Sequence, residues 1–183
     1  MNIDKTKFVS VFYDLAKQTD RKKLPLWDEL PDIELYMDQV IFILTKYLDY
    51  GGEKPITQSM INNYVNLGTI PPPVRKKYSR IHLAYLFIVF TLKQTLDMAT
   101  IQRILPVGTD ASDTEKIYNS FVRNQNKAYD YITENVVGVA NAIFEKEGDN
   151  QDRLNDLLLQ VASSANIFKL LTQKLSCCGP EKE

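Results

Sequence analysis

The 183-residue sequence has few of the residues that disulfide-rich, metal-binding or low-complexity proteins need. Its two cysteines, Cys177 and Cys178, are adjacent, so they cannot cross-link a fold, and nothing indicates an oxidising compartment. Seven glycines and eight prolines are too few for a collagen-like chain. The single histidine, His82, is accompanied by no nucleophile pattern and no metal-ligand spacing. We therefore expect no enzyme, no metal and no cofactor.

Long hydrophobic runs are also missing. The longest largely apolar run, residues 81–92, has 12 residues, whereas a transmembrane helix needs about 20. This run predicts a buried core helix. Charged residues at positions 4, 5 and 7 precede any apolar block, so we expect no signal peptide. These patterns favour a cytoplasmic protein without a membrane partner.

Acidic residues are absent from one long stretch of the chain. The whole sequence has 22 basic and 23 acidic residues, a formal net charge of −1, which argues against a broadly basic nucleic-acid binder. Residues 54–96 nevertheless contain six basic residues and no acidic one. The flanks are acidic, with seven basic and ten acidic residues in 1–53, and eight and twelve in 107–183. Any DNA binding should therefore be local, modest and sensitive to salt.

Hydrophobic periodicity predicts an almost wholly helical chain. Helices are predicted at about 8–15, 33–48, 57–67, 79–96 and 97–105. Asp32, Ser79 and Asp97 are the expected N-caps, and Gly51-Gly52 and Gly68 the expected stops. The proline run 71–73 predicts an extended turn, followed at most by a short β-ribbon near 70–78.

Two longer helices are predicted in the last third of the chain, separated by residues 148–150. Ser112 and Glu115 form a capping box at the start of the first. Two long helices across a short turn predict an antiparallel hairpin. Its apolar face leaves three interpretations open: a dimer interface, a core packed on the preceding domain, or an effector pocket. The pocket would be lined by Phe121, Tyr129, Phe144 and Phe168.

The order of elements in residues 57–105 is distinctive: a short helix, a glycine turn, a proline loop, a basic cluster, Tyr-Ser, a long helix and a short helix. It resembles the winged helix-turn-helix of MerR-type regulators. The matching residues are Tyr64, Gly68, Pro71, Lys76, Tyr78 and Ser79. The resemblance implies a head that binds double-stranded DNA, and C-terminal helices that pair in a homodimer.

A closer similarity covers residues 28–106. The runs 30–39, 56–70 and 71–79 are similar to a family of Firmicutes proteins, the domain of unknown function numbered 1836. That similarity implies a cytoplasmic bacterial protein with a MerR-like head, but no particular activity. The predicted architecture is all-α, with an N-terminal helix and linker at 1–26, a MerR-like winged helix-turn-helix domain at 27–106, and a C-terminal helical region at 107–183.

The helix predicted to read DNA has polar but uncharged residues along one side. Amides of this kind can pair with the N6/N7 edge of adenine in the major groove. The predicted base-contacting residues are Gln58, Ser59, Asn62, Asn63 and Asn66, and the residues predicted to face the core are Met60, Ile61, Tyr64 and Leu67. The predicted phosphate-contacting residues are Arg75, Lys76, Lys77 and Arg80.

Two functions remain open from the sequence. The first is a DNA-binding transcriptional regulator whose operator, effector and direction of regulation are undefined. MerR-type recognition helices usually carry an arginine where this chain has Asn62, and the helix here has no positive charge. The second is therefore a winged-helix protein–protein interaction module that does not bind DNA.

Overall fold

The computed structural model describes residues 4, 6–8, 10–11, 23–48, 55–107, 110–144 and 151–178, with the side chains of 132–144 outside that description. These residues are predominantly helical, which confirms the all-α prediction, and pair as strands only at two isolated β-bridges. A 3₁₀ turn, Trp27–Glu29, precedes six helices in the described chain: α1 (Met37–Leu48), α2 (Gln58–Asn66), α3 (Arg80–Leu92), α4 (Met98–Ile104), α5 (Ala111–Phe144) and α6 (Gln151–Leu175). No helix in the described ranges is long and apolar enough to cross a membrane.

The chain divides into two compact units. One comprises residues 1–23 and 124–172, and the other, here called the head unit, comprises residues 24–123 and 173–183. The head unit reaches beyond the predicted 27–106 because both ends are tied in by hydrogen bonds. The Tyr118 hydroxyl donates to the Pro25 carbonyl at 2.8 Å, and the Trp27 amide donates to Asn119 Oδ1 at 3.0 Å. The domain boundaries predicted at 26/27 and 106/107 stay predictions.

Helix α3 forms the centre of the head unit. Nine consecutive residues, 82–90, are buried, as expected of a helix that is apolar on all sides. Helices α1 and α2 contribute aromatic neighbours: the Tyr47 and Phe87 rings meet edge to face at 5.8 Å, and those of Tyr64 and Phe90 at 5.2 Å. The predicted core helix is confirmed. It ends at Leu92 and not near Leu96, because a turn at 93–95 precedes the next helix.

Helix α1 begins later than the apolar pattern predicts. The Leu35 amide donates to the Tyr78 carbonyl and the Tyr78 amide to the Leu35 carbonyl, both at 2.8 Å. This bridge holds the backbone around Leu35 extended, so Asp32 is not the N-cap of the helix. Gln39, the third residue of the helix, instead accepts from the amide of Tyr36, the residue directly before the helix, through its Oε1 at 2.9 Å, as the glutamine of a capping box does. Gly51-Gly52, the expected stop, lies outside the described residues.

The ends of α2 and α4 follow the sequence closely. Thr57 Oγ1 accepts from the Met60 amide at 3.3 Å and caps α2. The helix ends in a Schellman motif, in which Gly68, with φ +66°, donates to Val65 O at 2.9 Å and Thr69 donates to Tyr64 O at 3.0 Å. Asp97 Oδ1 caps α4 through the Thr100 amide at 2.8 Å. Hydrogen bonds from the amide and the side chain of Thr100 lower the pKa of the Asp97 carboxyl.

Helix α5 begins two residues earlier than the predicted capping box. Asp110 Oδ1 accepts from the Asp113 amide at 2.9 Å, so Asp110 caps the helix and Ser112 already lies inside it. Its buried residues within the head unit include Thr114, Tyr118 and Val122, whereas Ile117 and Phe121, which the apolar spacing of the sequence would place on the buried face, are half-buried. The buried face of α5 is thus shifted by about one residue from the apolar spacing. The hydrogen bond from the Tyr118 hydroxyl to the Pro25 carbonyl holds Tyr118 on that face, and hydrophobic spacing does not show such a long-range bond.

Helix α6 is mostly exposed. Leu154 and Leu157 are buried, and several large apolar side chains are not: Leu158, Leu159, Val161, Ile167, Phe168, Leu170, Leu171 and Leu175. The antiparallel hairpin and the effector pocket stay predictions, since residues 145–150 and the side chain of Phe144 lie outside the description. Of the N-terminal helix predicted at about 8–15, residues 8, 10 and 11 are described and are helical, as are residues 6 and 7 before it. The remainder of this predicted helix lies outside the described residues.

Candidate nucleic-acid interface

Helix α2 presents its polar side to solvent, as the sequence predicts. Its five predicted base-contacting residues are all exposed: Gln58, Ser59, Asn62, Asn63 and Asn66. On the opposite side, Ile61 and Tyr64 are buried in the core and Met60 packs partly against it. Burial raises the pKa of the Tyr64 hydroxyl. Leu67 departs from the expectation: it is 46% exposed because it lies at the C-cap, where the chain turns out of the helix.

The basic cluster begins in a very tight hairpin, here called the wing hairpin (residues 74–77). The Val74 amide donates to Lys77 O at 3.1 Å, and the Lys77 amide donates to Val74 O at 2.9 Å. Both central residues have positive φ, +50° at Arg75 and +64° at Lys76. Positive φ at both central positions is the signature of a type I′ turn, which normally takes Asn-Gly. Because Arg75 and Lys76 stand at these positions in place of Asn-Gly, the backbone at the tip of the hairpin is strained.

His82 fixes the loop that carries this hairpin. Its Nδ1 accepts from the Ser79 amide at 3.0 Å, in the place of the usual capping-box glutamate. This acceptor role assigns the proton to Nε2, which donates to the Pro72 carbonyl at 3.2 Å. Burial lowers the pKa of the His82 imidazole, against the opposing effect of the Pro72 bond. The neutral ring thus joins the proline loop to the start of α3, and the bond to the proline loop has no signal in the sequence.

Two of the four predicted phosphate contacts are engaged within the protein. Lys77 Nζ lies 2.9 Å from Glu34 Oε2 and 5.9 Å from the centre of the Tyr36 ring. The hydrogen bond between the two charged groups lowers the pKa of the Glu34 carboxyl and raises that of the Lys77 ammonium. Arg80 lies 3.5 Å from Asp32 and 5.6 Å from the Trp27 ring.

Arg80 therefore differs from the other three basic residues. Its side chain is only 19% exposed, which suits a residue that positions the segment before α1 against the start of α3. Arg75 and Lys76 are exposed at the turn, and neither forms an ion pair with any residue in the described part of the chain. Arg75 and Lys76 are thus the two cations of the wing hairpin that form no salt bridge among the described residues, although the charge of Arg75 adds to that of Lys77 in lowering the pKa of the Glu34 carboxyl.

The fold also brings acidic residues to this stretch. The antiparallel bridge between Leu35 and Tyr78 places Asp32 and Glu34 opposite the basic cluster. Counting charge along the sequence misses this, because these acids belong to the preceding acidic segment. The basic surface is consequently smaller than the six residues of 54–96 suggest.

An open groove of about 570 Å³ lies between α1, α2 and the wing hairpin. Its rim brings Gln58 and Asn62 of α2 to the same concave surface as Lys76 of the hairpin. The structure thus joins predicted base-contacting and phosphate-contacting residues in one place. The full lining is Tyr36, Met37, Asp38, Ile41, Gln58, Asn62, Pro73, Lys76 and Tyr78.

A protein metal site usually needs several closely spaced histidine, cysteine or carboxylate side chains. No group of three or more histidine, cysteine, aspartate or glutamate side chains is suitably placed among the residues that the structure describes. Cys177 and Cys178 are exposed free thiols at the end of α6.

Comparison with known proteins identifies the family of the chain. The profile of a family described as a domain of unknown function, DUF1836, matches residues 25–132. Searches of curated proteins and of solved structures gave no significant match. The matched region covers 108 of the 183 residues and contains nearly all of the main head-unit segment, 24–123. This match places the α2 polar face and the wing hairpin inside the family domain, and the chain belongs to the DUF1836 family.

Proposed function

We propose that the head unit is a MerR-like winged helix-turn-helix domain that binds double-stranded DNA and serves transcriptional regulation. The observation that carries this proposal is the shared groove: two exposed amides of α2 and the free cation Lys76 line one surface. Amide side chains read base edges, and a neighbouring cation neutralises backbone phosphate, so the pairing suits a helix in the major groove with the hairpin on the backbone.

The strained turn supports the same reading. A type I′ turn with Arg75 and Lys76 at its centre costs about 1 kcal/mol or more per residue compared with glycine. Strain of this kind persists where a side chain at that position is needed. Here the retained groups are two exposed cations, which are the groups that phosphate contact requires.

A homodimer completes the proposal. Leu154, Val161, Phe168 and Leu175 of α6 are spaced by seven residues, the repeat of a left-handed coiled-coil seam. The last three of them are exposed. Pairing of two copies along this seam would give a dimer that carries two α2 helices, and such a dimer predicts a palindromic site. Such a regulator acts where the chromosome lies, so the proposal includes a cytoplasmic location.

Fluorescence anisotropy with a labelled random duplex at about 50 mM salt tests DNA binding. The full chain should bind, and Arg75→Ala/Lys76→Ala should remove most of the affinity. A matched control removes two exposed cations from α5, Arg123→Ala/Lys127→Ala, and should leave binding unchanged. Absence of binding by the unmodified chain would refute the proposal.

A protein–protein interaction module is the second candidate function. It is favoured by Asp32 and Glu34, which neutralise Arg80 and Lys77, and by the exposed aromatic Phe42, 72% accessible on α1. A surface with paired charges and an exposed aromatic residue suits a protein partner better than a polyanion. A defined partner whose binding is lost with Phe42→Ala, together with no DNA affinity, would favour this function.

A further inference from the structure

The groove between α1, α2 and the wing hairpin has the size and lining of a ligand site in its own right. Its volume of about 570 Å³ falls within the range of about 300–1,000 Å³ that small-molecule sites occupy. Met37, Ile41 and Pro73 are half-buried and Tyr78 is buried, so the lining includes an apolar floor. Such a floor can cover one face of a planar ring.

The polar groups of the rim are free to accept a ligand. Gln58 and Asn62 are exposed, and their amides form no hydrogen bond with any group in the described part of the protein. Asp38 and Lys76 are exposed too, and neither forms an ion pair with a described residue. The rim thus offers two amides, one carboxylate and one ammonium, all without internal partners.

Each of these groups matches a part of a nucleotide. Asparagine and glutamine amides pair with the donor and acceptor on the N6/N7 edge of adenine. A carboxylate accepts hydrogen bonds from ribose hydroxyls, as acidic residues do in dinucleotide sites. A lysine ammonium binds phosphate as a point charge. Tyr36 lines the groove and is 56% exposed, and its ring, with Lys77 Nζ at 5.9 Å from its centre, adds an aromatic surface for a base.

We propose that this groove binds an adenine nucleotide unit, with Gln58 and Asn62 on the base edge, Asp38 on the sugar and Lys76 on the phosphate. The unit can come from a free nucleotide or from an unpaired adenine nucleotide in a single strand, since the recognised chemistry is shared. Three lining residues are also proposed duplex contacts, so an occupied groove blocks duplex DNA. Only this competition rests on the proposed function; binding of the nucleotide does not.

Isothermal titration calorimetry tests the site by measuring the affinity of the full chain for adenosine monophosphate and, separately, for a single-stranded deoxyadenosine tetramer. At least one probe should bind saturably, and Asn62→Ala should weaken it about tenfold, the effect of losing one bidentate base contact. Lys76→Ala should weaken the same probe. Guanosine monophosphate should bind more weakly than adenosine monophosphate, because its base edge presents two acceptors.

Two matched controls separate this site from duplex binding. Asn63→Ala alters an exposed amide of α2 that does not line the groove, and Arg75→Ala removes the neighbouring cation that does not line it. Both should leave nucleotide binding intact while weakening duplex binding. Asp38→Asn should weaken the ribonucleotide and should not weaken duplex binding, because Asp38 is not a proposed duplex contact.

The two probes distinguish the sources. Tighter binding of the mononucleotide indicates a free effector, and tighter binding of the tetramer indicates a single strand. If neither probe binds saturably, or if Asn62→Ala and Asn63→Ala have equal effects, the proposal is wrong. If nucleotide binding follows these rules but duplex DNA does not bind, the groove site stands and the proposed function fails.

Discussion

The salt dependence of DNA binding gives a quantitative test of which cations meet phosphate. Among the described residues, Arg75 and Lys76 form no salt bridge, whereas Lys77 is paired with Glu34 and Arg80 with Asp32. Each phosphate neutralised contributes about −0.9 to the slope of log affinity against log salt. Two free cations therefore predict a slope of about −1.8 per protomer, and about −3.6 for a dimer on a two-fold site.

These slopes correspond to large changes in affinity. Raising salt from about 50 to about 200 mM should weaken a single protomer about tenfold and a dimer about 150-fold. Arg75→Ala/Lys76→Ala should bring the slope close to zero, leaving the weak contribution of the uncharged α2 face. Anisotropy titrations at four or five salt concentrations measure this directly, with the oligomeric state fixed by sedimentation at the same concentrations.

Two outcomes of the salt titration would contradict this assignment of phosphate contacts. A slope near −3.6 per protomer would mean that Lys77 and Arg80 leave their internal partners and bind phosphate as well. An unchanged slope in Arg75→Ala/Lys76→Ala would mean that the wing hairpin is not on the backbone at all. The α5 control, Arg123→Ala/Lys127→Ala, should keep the unmodified slope, so a general effect of lost charge is distinguished from a local one.

Three further variants probe the same surface. Glu34→Gln releases Lys77, so the slope of log affinity against log salt should become steeper by about 0.9 per protomer and the affinity for DNA should rise. An unchanged slope would show that the Lys77–Glu34 pair does not restrain DNA binding. Arg75→Asn/Lys76→Gly gives the wing hairpin the residues that a type I′ turn prefers. The free energy of unfolding in urea should therefore rise by about 1–2 kcal/mol, while the affinity for DNA falls. A loss of stability would show that the turn is not strained. Because burial lowers the pKa of His82 below its ordinary value of 6.5, the unfolded chain takes up a proton first as pH falls below 6.5, and stability drops. His82→Gln keeps a capping acceptor without this titration, so its melting temperature should change less between pH 7.5 and pH 5 than that of the unmodified chain, and an equal change would contradict the assignment of a neutral His82.

Local sequence signals predicted the parts of the site that local physics determines. The register of α2 follows from the spacing of Ile61 and Tyr64, and its end follows from Gly68, whose φ of +66° few other residues adopt. Asp97 was recognisable as a cap because it lies directly before a helical apolar pattern, and the start predicted near Thr57 agrees with the cap observed there. The exposed amide row of α2 follows from the same register.

The parts that sequence reasoning missed depend on contacts between distant segments. The bridge of Leu35 with Tyr78 shortened α1 and brought Glu34 to Lys77, 43 positions apart in the chain. Pairing of this kind leaves no periodic signal, so the acid-free stretch looked more basic than the folded surface is. His82 carried a partial signal, since it occupies the capping-box position after Ser79. Its bond to the Pro72 carbonyl became visible only in three dimensions.

The proposed function depends above all on contacts between the amide face of α2 and DNA bases. Selection from a random duplex library with the full chain, followed by the same selection with Asn62→Ala, tests these contacts. We expect an inverted repeat containing adenines, and a changed preference at one position of each half-site in the variant. No enrichment with the unmodified chain, or the same motif from both proteins, would contradict the proposed base contacts.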